Sequence, residues 1–139
     1  MPLDRESERT PTARFNDYLR RFNHAAIIDG VDARILKAAV GDGVLRHDEV
    51  QRFIPASTIA RKVREGRKLA RDEADQIARF LRIKSYACKV FDDAEVAETW
   101  LSEPNPALGS RVPTELLFTD EGTRAVETVL RRIDYGDYS

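Results

Sequence analysis

The sequence has few of the residues that build disulfides, metal sites or phosphate-binding loops. Its 139 residues include one cysteine, Cys88, and two histidines, His24 and His47. A lone cysteine excludes an intrachain disulfide and is most simply a small core residue, and the histidines have no partners at the spacing of a zinc site. The seven glycines form no glycine-rich phosphate loop. We therefore expect no metal, no cofactor and no enzymatic activity.

Long apolar runs and aromatic residues are also scarce. No run approaches the roughly 20 apolar residues that a bilayer span requires, and aromatic residues make up 8% of the chain. The 42% of apolar residues still suffices for one packed domain or two small ones. Charged residues, 34% of the chain, are interleaved with Ala, Leu and Ile, which favours helices. These features predict an all-α protein of the reducing cytoplasm without membrane contact.

The net charge of −1 conceals two halves of opposite sign. Residues 1–84 hold 18 Lys and Arg against 13 Asp and Glu, whereas residues 85–139 hold 5 against 11. Between Arg61 and Arg71 there are six basic residues and one acidic residue, Glu65. This density suits the phosphates of a nucleic acid, although a solvated helix face explains such a run equally well. We expect the two halves to face different partners.

Helical periodicity organises the N-terminal half. Residues 1–12, with two prolines and alternating charges, predict a disordered tail. Apolar residues three and four apart then predict a helix from Ala13 to Ile28 and a second from Val31 to Val40. A short third helix is predicted from Asp48 to Phe53.

Pro55 separates that short helix from a helix of different character. Because proline lacks a backbone donor, it belongs in the first turn of a new helix, and Gly66 is suited to end it. Ile59 and Val63 lie four residues apart and are expected to face the core. The sequence thus predicts a helix-turn-helix whose second helix presents Ser57, Thr58, Arg61 and Lys62 to the major groove of DNA.

The next helices are predicted by their first turns and by the breaks between them. A helix from Asp72 to Ile83 begins with carboxylates, and its apolar pattern can continue to Phe91. Asp92 or Asp93 can cap the following helix, which Pro104 ends. With no flexible linker in this region, we expect the two halves of the chain to be joined rigidly.

The residues after Pro104 predict a tight loop and a last helix. Asn105 can bind its own loop through its side chain, and Gly109 permits a turn with positive φ. A one-turn helix should begin at Pro113, and Thr119 can cap the last helix. Residues expected to be buried here are Leu116, Leu117, Val126, Val129, Leu130 and Ile133.

Several short motifs of the last third of the chain occur together in one known family. They are Phe91-Asp92-Asp93, Trp100-Leu101-Ser102-Glu103-Pro104-Asn105, Leu108-Gly109, Pro113-Thr114-Glu115-Leu116-Leu117 and Arg132-Ile133-Asp134-Tyr135-Gly136. This run resembles the toxin-binding domain of the Xre/MbcA/ParS antitoxins. Ser110 and Arg111 stand where a second glycine and a basic residue are frequent in that family.

The preceding segment is similar to the Xre/Cro-type helix-turn-helix of the same family. The resemblance rests on Ile54, Thr58, Ile59, Arg61 and Lys62. Two positions depart from the pattern, since Pro55 and Ala70 stand where serines are common. The resemblance divides the chain into a DNA-binding domain, residues 13–84, and a toxin-binding domain, residues 85–139.

The resemblance implies an antitoxin that binds a RES-domain toxin, an enzyme that consumes NAD, and obstructs its active site. It also implies repression of its own operon by a homodimer on operator DNA, because one helix-turn-helix reads one half-site. The expected DNA-binding residues are Ser57, Thr58, Arg61, Lys62, Arg64, Arg67 and Lys68. The expected toxin-binding residues are Asn105, Arg111, Arg132, Asp134, Tyr135, Gly136, Asp137 and Tyr138.

Two other functions fit the same residues. A stand-alone transcriptional or DNA-partition regulator would use the helix-turn-helix and have no toxin partner. A toxin binder that has lost DNA binding would keep the helix-turn-helix as a scaffold only. A neighbouring gene for a toxin distinguishes the first, and salt-dependent operator binding distinguishes the second.

Overall fold

A computed structural model describes residues 12–136, and all regular elements in that range are helical. They are eight α-helices and two short 3-10 helices, and the extended pairing within the range is limited to two isolated β-bridges. The all-α fold class is therefore confirmed. Residues 14–81 form one compact unit, the N-terminal unit, and residues 82–136 belong to a second, the C-terminal unit.

The N-terminal unit is built from five helices and the first half of a sixth. The helices are α1 (Ala13–Arg21), α2 (His24–Asp29), α3 (Arg34–Gly41), α4 (His47–Gln51), α5 (Ala56–Arg64) and α6 (Arg71–Phe91). The unbroken run of α6 confirms the longer of the two predicted lengths. The short helix α4 also agrees with its prediction to within two residues.

The prediction of one helix from residue 13 to residue 28 is wrong. Helix α1 ends before Asn23, whose backbone is extended with φ −72° and ψ 169°. The Asn23 side chain accepts a hydrogen bond from the backbone N–H of Ala26 at 2.9 Å and so begins α2. Apolar spacing alone gave no sign of this break, because an asparagine cap interrupts the helix without interrupting the apolar pattern.

The helix predicted from Val31 begins three residues later, at Arg34. Asp32 instead forms an isolated bridge with Lys68 in the loop between α5 and α6. The backbone N–H of Leu69 donates to the Val31 carbonyl at 2.7 Å, which ties the two loops together. A partner 38 residues away along the chain thus holds this segment extended, and local periodicity does not report such a partner.

The core of the N-terminal unit combines aromatic residues from α1 and α6 with aliphatic residues from the helices between them. The rings of Phe53 and Phe80 pack with their centroids 5.6 Å apart. Residues of this core include Phe15, Tyr18, Phe22, Leu36, Val44, Leu45, Val50, Ile54, Leu69, Ile77 and Leu81.

The C-terminal unit contains the second half of α6, two further α-helices and both 3-10 helices. These elements are α7 (Ala94–Ser102), the first 3-10 helix (Pro106–Leu108), the second 3-10 helix (Pro113–Leu116) and α8 (Asp120–Asp134). The second 3-10 helix packs against both α7 and α8. It therefore connects the two helices of this unit that follow α6.

The predicted caps of the C-terminal unit are confirmed. Asp93 caps α7 by accepting from the backbone N–H groups of Glu95 and Val96, and Thr119 caps α8 by accepting from Gly122 at 2.9 Å. Asp92, the alternative cap, lies in the turn before α7 with φ 53°.

Some of the residues that we expected in the core of this unit are fully buried, and others are only half-buried. Leu117, Val126 and Leu130 are fully buried, and Cys88 is a buried core residue as expected. Three of the residues that we expected to be buried are half-buried. The fully buried face of α8 is therefore narrower than predicted, and the second 3-10 helix is partly exposed. The three half-buried residues are Leu116, Val129 and Ile133.

Candidate functional site

Helices α4 and α5 form the predicted helix-turn-helix. The carboxylate of Glu49 accepts a hydrogen bond from the backbone N–H of Arg46 at 2.9 Å, which fixes the start of α4. Pro55 stands directly before the first residue of α5, with φ −55°. Gly66, with φ +65°, adopts the left-handed conformation just after the helix. The residues that predicted the limits of this helix therefore act as predicted.

The outer face of α5 carries Ser57 and Arg61. Both side chains are exposed, and they lie four residues apart, which places them one above the other on the helix. An exposed hydroxyl in the first turn of the second helix and an exposed guanidinium in its last turn suit contacts with phosphates and with guanine edges. Together with Arg64, which is also exposed, this pair is the open part of the predicted DNA-binding set on α5.

The sequence led us to expect that Lys62 points outward, but its side chain is held against α6 instead. Its ammonium lies 2.6 Å from the carboxylate of Glu73 in α6, and the two side chains are 15% and 16% exposed. The same Glu73 carboxylate accepts a hydrogen bond from the backbone N–H of Ala70 at 2.8 Å. Glu73 therefore secures the start of α6 and draws Lys62 away from solvent. Thr58, four residues earlier, is half-buried.

The basic residues from the end of α5 to the following loop differ in what they contact. Arg64 is exposed, and Arg67 lies 2.8 Å from the carboxylate of Glu65. The Lys68 ammonium donates to the backbone carbonyl of Asp29 at 3.1 Å, and its aliphatic stem covers Gly30. A Cβ at Gly30 would lie 2.5 Å from Cδ of Lys68. Lys68 thus has a structural role beside any contact with DNA.

Sequence analysis missed Arg52, which follows α4 in the turn before α5 and is exposed. The turn of a helix-turn-helix lies next to the N-terminal end of the second helix, which is the end that approaches the bases. A basic residue three positions before Pro55 was the available signal.

As the sequence predicted, Ile59 and Val63 lie beside the buried residues Leu36 and Val50, but they are not themselves fully buried. Both are half-buried, and α5 has no buried residue. They line an open groove of about 430 Å³ between α3, α4 and α5. Other lining residues are Leu36, Lys37, Val40, His47, Val50, Gln51, Ala56, Ala60 and Arg64.

The loop between α7 and the second 3-10 helix holds two of the predicted toxin-binding residues. Asn105 accepts a hydrogen bond from the backbone N–H of Ala107 at 2.9 Å and pairs through its backbone with Arg111. Its side chain is thus used within the loop, as predicted. Gly109 and Ser110 both have positive φ, 65° and 63°. The side chain of Arg111 is exposed at the end of this tight turn.

The end of α8 presents the other described members of the predicted toxin-binding set. Arg132 and Asp134 are exposed, and Tyr135 is 78% exposed directly after the helix. Gly136 follows with φ +70°. Asp137 and Tyr138 lie outside the described residues.

Tyr86 in α6, which the sequence placed in an apolar helix pattern, is influenced by charges at the end of α8. Burial raises the pKa of the Tyr86 hydroxyl, and the negative charge of Asp134 raises it further, while Arg131 lowers it. The phenol therefore lies within the electrostatic reach of the end of α8. The helical pattern concealed Tyr86, because a half-buried tyrosine and a core residue have the same spacing.

Two findings concern other classes of site. Within residues 12–136, no group of three or more His, Cys, Asp and Glu side chains is arranged to hold a metal ion. In the same range, no helix has both the length and the apolar character that crossing a membrane requires.

Comparison with known proteins relates both units to one family. A family model described as the antitoxin Xre/MbcA/ParS C-terminal toxin-binding domain matches residues 87–136. An antitoxin Xre of Pseudomonas putida is 34% identical over 113 residues, which cover 81% of this chain and 71% of that protein. An antitoxin Xre of Yersinia enterocolitica is 33% identical over 87 residues, or 62% of this chain and 59% of the relative.

A third relative, an antitoxin Xre of Photorhabdus laumondii, is 34% identical over 70 residues, or 50% of this chain and 47% of its own length. The likeness to the Pseudomonas protein is longer than the stretch that the family model matches, so it includes residues outside the toxin-binding region. The chain therefore belongs to the Xre/MbcA/ParS family of type II antitoxins.

Proposed function

We propose that this protein binds and neutralises the toxin of its own system through the C-terminal unit. The observation that carries the proposal is the overlap between the matched residues, 87–136, and the exposed end of α8. Tyr135 offers a large ring with a polar tip, a combination favoured at interfaces. Arg132 and Asp134, three residues and one residue before Tyr135, carry opposite charges, which can orient a partner.

The proposed toxin is a RES-domain enzyme that degrades NAD, as the resemblance implies, and the end of α8 obstructs its active site. A cleft that binds a dinucleotide presents basic groups to the phosphates. Asp134 and, beyond the described residues, Asp137 supply acidic groups that can meet them. Tyr86 enlarges the aromatic part of the surface.

Co-expression with the product of the neighbouring gene tests this proposal. The antitoxin is expected to restore growth and NAD levels and to co-purify with the toxin. Tyr135→Ala should weaken the complex by roughly 30-fold, since truncating an interface anchor costs about 2 kcal/mol. Val96→Ala, which trims another exposed apolar side chain of the same unit, is the matched control. Unchanged affinity of a chain ending at Arg132 would refute the proposed surface, and toxicity with constant NAD would refute the proposed enzyme class.

We also propose that the protein represses its own operon as a homodimer that places one α5 helix on each operator half-site. The exposed pair Ser57 and Arg61, the exposed Arg52 and the excess of basic residues in the N-terminal half support this proposal. Phosphate contacts make such binding steeply dependent on salt.

Operator binding by Arg61→Ala and Lys62→Ala distinguishes the two roles of these neighbouring residues. Removing a guanidinium that contacts a base costs about 1–3 kcal/mol, so Arg61→Ala should lower operator affinity by roughly 5- to 150-fold. Lys62→Ala should instead lower thermal stability, because Lys62 is paired with Glu73. Full operator affinity of the Arg61 variant would contradict the proposed role of α5. A neighbouring product that is neither toxic nor bound would leave DNA regulation as the function.

A further inference from the structure

The basic stretch from Arg61 to Arg71 contains ion pairs of two kinds. Arg67 and Glu65 form an exposed pair in the loop after α5. Lys62 and Glu73 form a sheltered pair, in which the ammonium and the carboxylate lie 2.6 Å apart. An exposed pair contributes little stability, whereas breaking a sheltered pair leaves a charge without compensation. A DNA phosphate can therefore draw Arg67 from its partner more easily than Lys62.

The carboxylate of Glu73 is itself fixed in place. It accepts a hydrogen bond at 2.8 Å from the backbone N–H of Ala70, the residue directly before α6. A glutamate at the third position of a helix makes this contact in a capping box. Glu73 therefore holds Lys62 from a position that the start of α6 determines.

Lys62 lies next to the residues that the proposed operator contact uses. Arg61 precedes it on α5 and Arg64 follows two residues later, and both are exposed. The backbone carbonyl of Lys62 accepts a hydrogen bond from the N–H of Arg67 at 2.8 Å, which places Lys62 at the start of the basic loop. A lysine has a long, flexible stem, so an ammonium released from Glu73 would turn to solvent. A released Lys62 would then add one positive charge to the surface that faces the phosphates.

This additional charge would affect how well the protein distinguishes its operator from other DNA. A phosphate contact carries no sequence information and strengthens binding to any duplex. On the operator, the base contacts of α5 fix the orientation of the protein. On other sequences the protein is free to shift until a released lysine meets a phosphate. The gain in affinity from a released Lys62 is therefore larger on other sequences than on the operator.

We propose that Glu73 is a specificity-determining residue, which withholds Lys62 from the phosphates and so limits binding to DNA outside the operator. This role rests on the proposed operator binding and adds to it a residue that lies outside the helix-turn-helix. Glu73 acts through Lys62 and is a positioning residue. The sheltered pair also joins α6 to α5, a helix without a buried residue.

The variant Glu73→Gln tests the proposal in the full chain. Glutamine keeps an oxygen for the N–H of Ala70 but removes the charge that holds Lys62. Fluorescence anisotropy measures binding to two probes, the duplex upstream of the protein's own gene and a shuffled duplex of the same composition. Each affinity is measured over a series of salt concentrations, and circular dichroism verifies that the variants remain helical.

The shuffled duplex should report the release of Lys62. The logarithm of its affinity should fall more steeply with the logarithm of the salt concentration, by about 0.9, which is the contribution of one additional phosphate contact. The affinity itself should rise roughly 5- to 10-fold at about 0.1 M salt. The affinity for the upstream duplex should rise by less, so the preference for it should fall.

Two control variants separate the release of Lys62 from the change in net charge. Asp75→Asn removes one negative charge from an exposed position on the same helix and should leave the salt dependence near that of the wild type. Glu73→Gln combined with Lys62→Met removes both members of the pair and should restore the wild-type salt dependence.

Three results would overturn the proposed role of Glu73 while the wild type still prefers the upstream duplex. They are an unchanged salt dependence in Glu73→Gln, the same steepening in either control variant, and an equal gain in affinity for both duplexes. A wild-type protein without preference for the upstream duplex would refute the proposed operator binding itself, and the role of Glu73 with it.

Discussion

Gly122 is the position at which the C-terminal unit should tolerate a methyl group least. It lies in the first turn of α8, where a Cβ would stand 2.0 Å from the carbonyl oxygen of Leu116 in the second 3-10 helix. The same Cβ would lie 2.9 Å from the Thr119 hydroxyl that caps α8. A backbone carbonyl cannot rotate away as a flexible side chain can, so Gly122→Ala must separate α8 from the second 3-10 helix.

The expected loss of stability is the sum of two unfavourable contributions and one favourable contribution. Bringing the contact from 2.0 Å to at least 3.0 Å requires a shift of about 1 Å, and overpacking of this kind costs about 1–3 kcal/mol. Disturbing the Thr119 cap costs about 1 kcal/mol more, while alanine returns up to about 1 kcal/mol of helix propensity. We expect Gly122→Ala to lose about 2 kcal/mol, which lowers Tm by roughly 5–10 °C.

Thermal unfolding followed by circular dichroism measures this loss, and Gly41→Ala is the matched control. Gly41 also lies in a helix, but a Cβ there meets no atom within 4 Å. The control should be neutral or slightly stabilising, because it gains helix propensity without a clash. Equal Tm values for the two variants would refute the claim that close approach, rather than helix propensity, requires glycine at position 122.

Three further predictions concern single side chains. Ser110→Gly should increase the free energy of unfolding by about 0.5–1 kcal/mol and so raise Tm slightly. Ser110 is exposed with φ 63°, and glycine adopts that conformation without strain. Burial, with the hydrogen bond that the hydroxyl donates to Asp42, raises the pKa of Tyr18 from 10.0 to about 12. The stability gained from the protonated phenol is complete below pH 10 and is lost as the pH rises from 10 towards 12. Denaturant titrations should show this loss in the wild type and its absence in Tyr18→Phe. Finally, Glu98→Gln should destabilise the protein more than Lys84→Met, by up to about 3 kcal/mol, because it removes a carboxylate 3.4 Å from an ammonium that is almost fully buried. A larger loss in the methionine variant would contradict this reasoning.

The parts of the fold that the sequence predicts well are those fixed within four or five residues. Asn105, Thr119 and Asp93 bind backbone groups two or three positions away, so residue type and position suffice to identify the caps. Gly109 shows the same rule for a turn. Glycine is frequent in the family at the position of Ser110. This preference has a local explanation, because Ser110 adopts a positive φ.

The parts that the sequence predicts poorly depend on partners far along the chain. Lys62 was expected to face DNA, but Glu73, eleven residues away, holds it. Ile59 and Val63 have the spacing of core residues, yet they line an open groove. Periodicity identifies the apolar face of a helix and does not show what covers that face. For the same reason periodicity did not identify Tyr86, whose pKa is raised by the charge of Asp134, a residue far along the chain.

The position of α5 consequently depends on contacts made by three faces of one nine-residue helix. Ser57 and Arg61 face solvent, Lys62 is held by α6, and Ile59 and Val63 line the groove. Because no residue of α5 is buried, the helix is held to its unit by half-buried contacts and one ion pair.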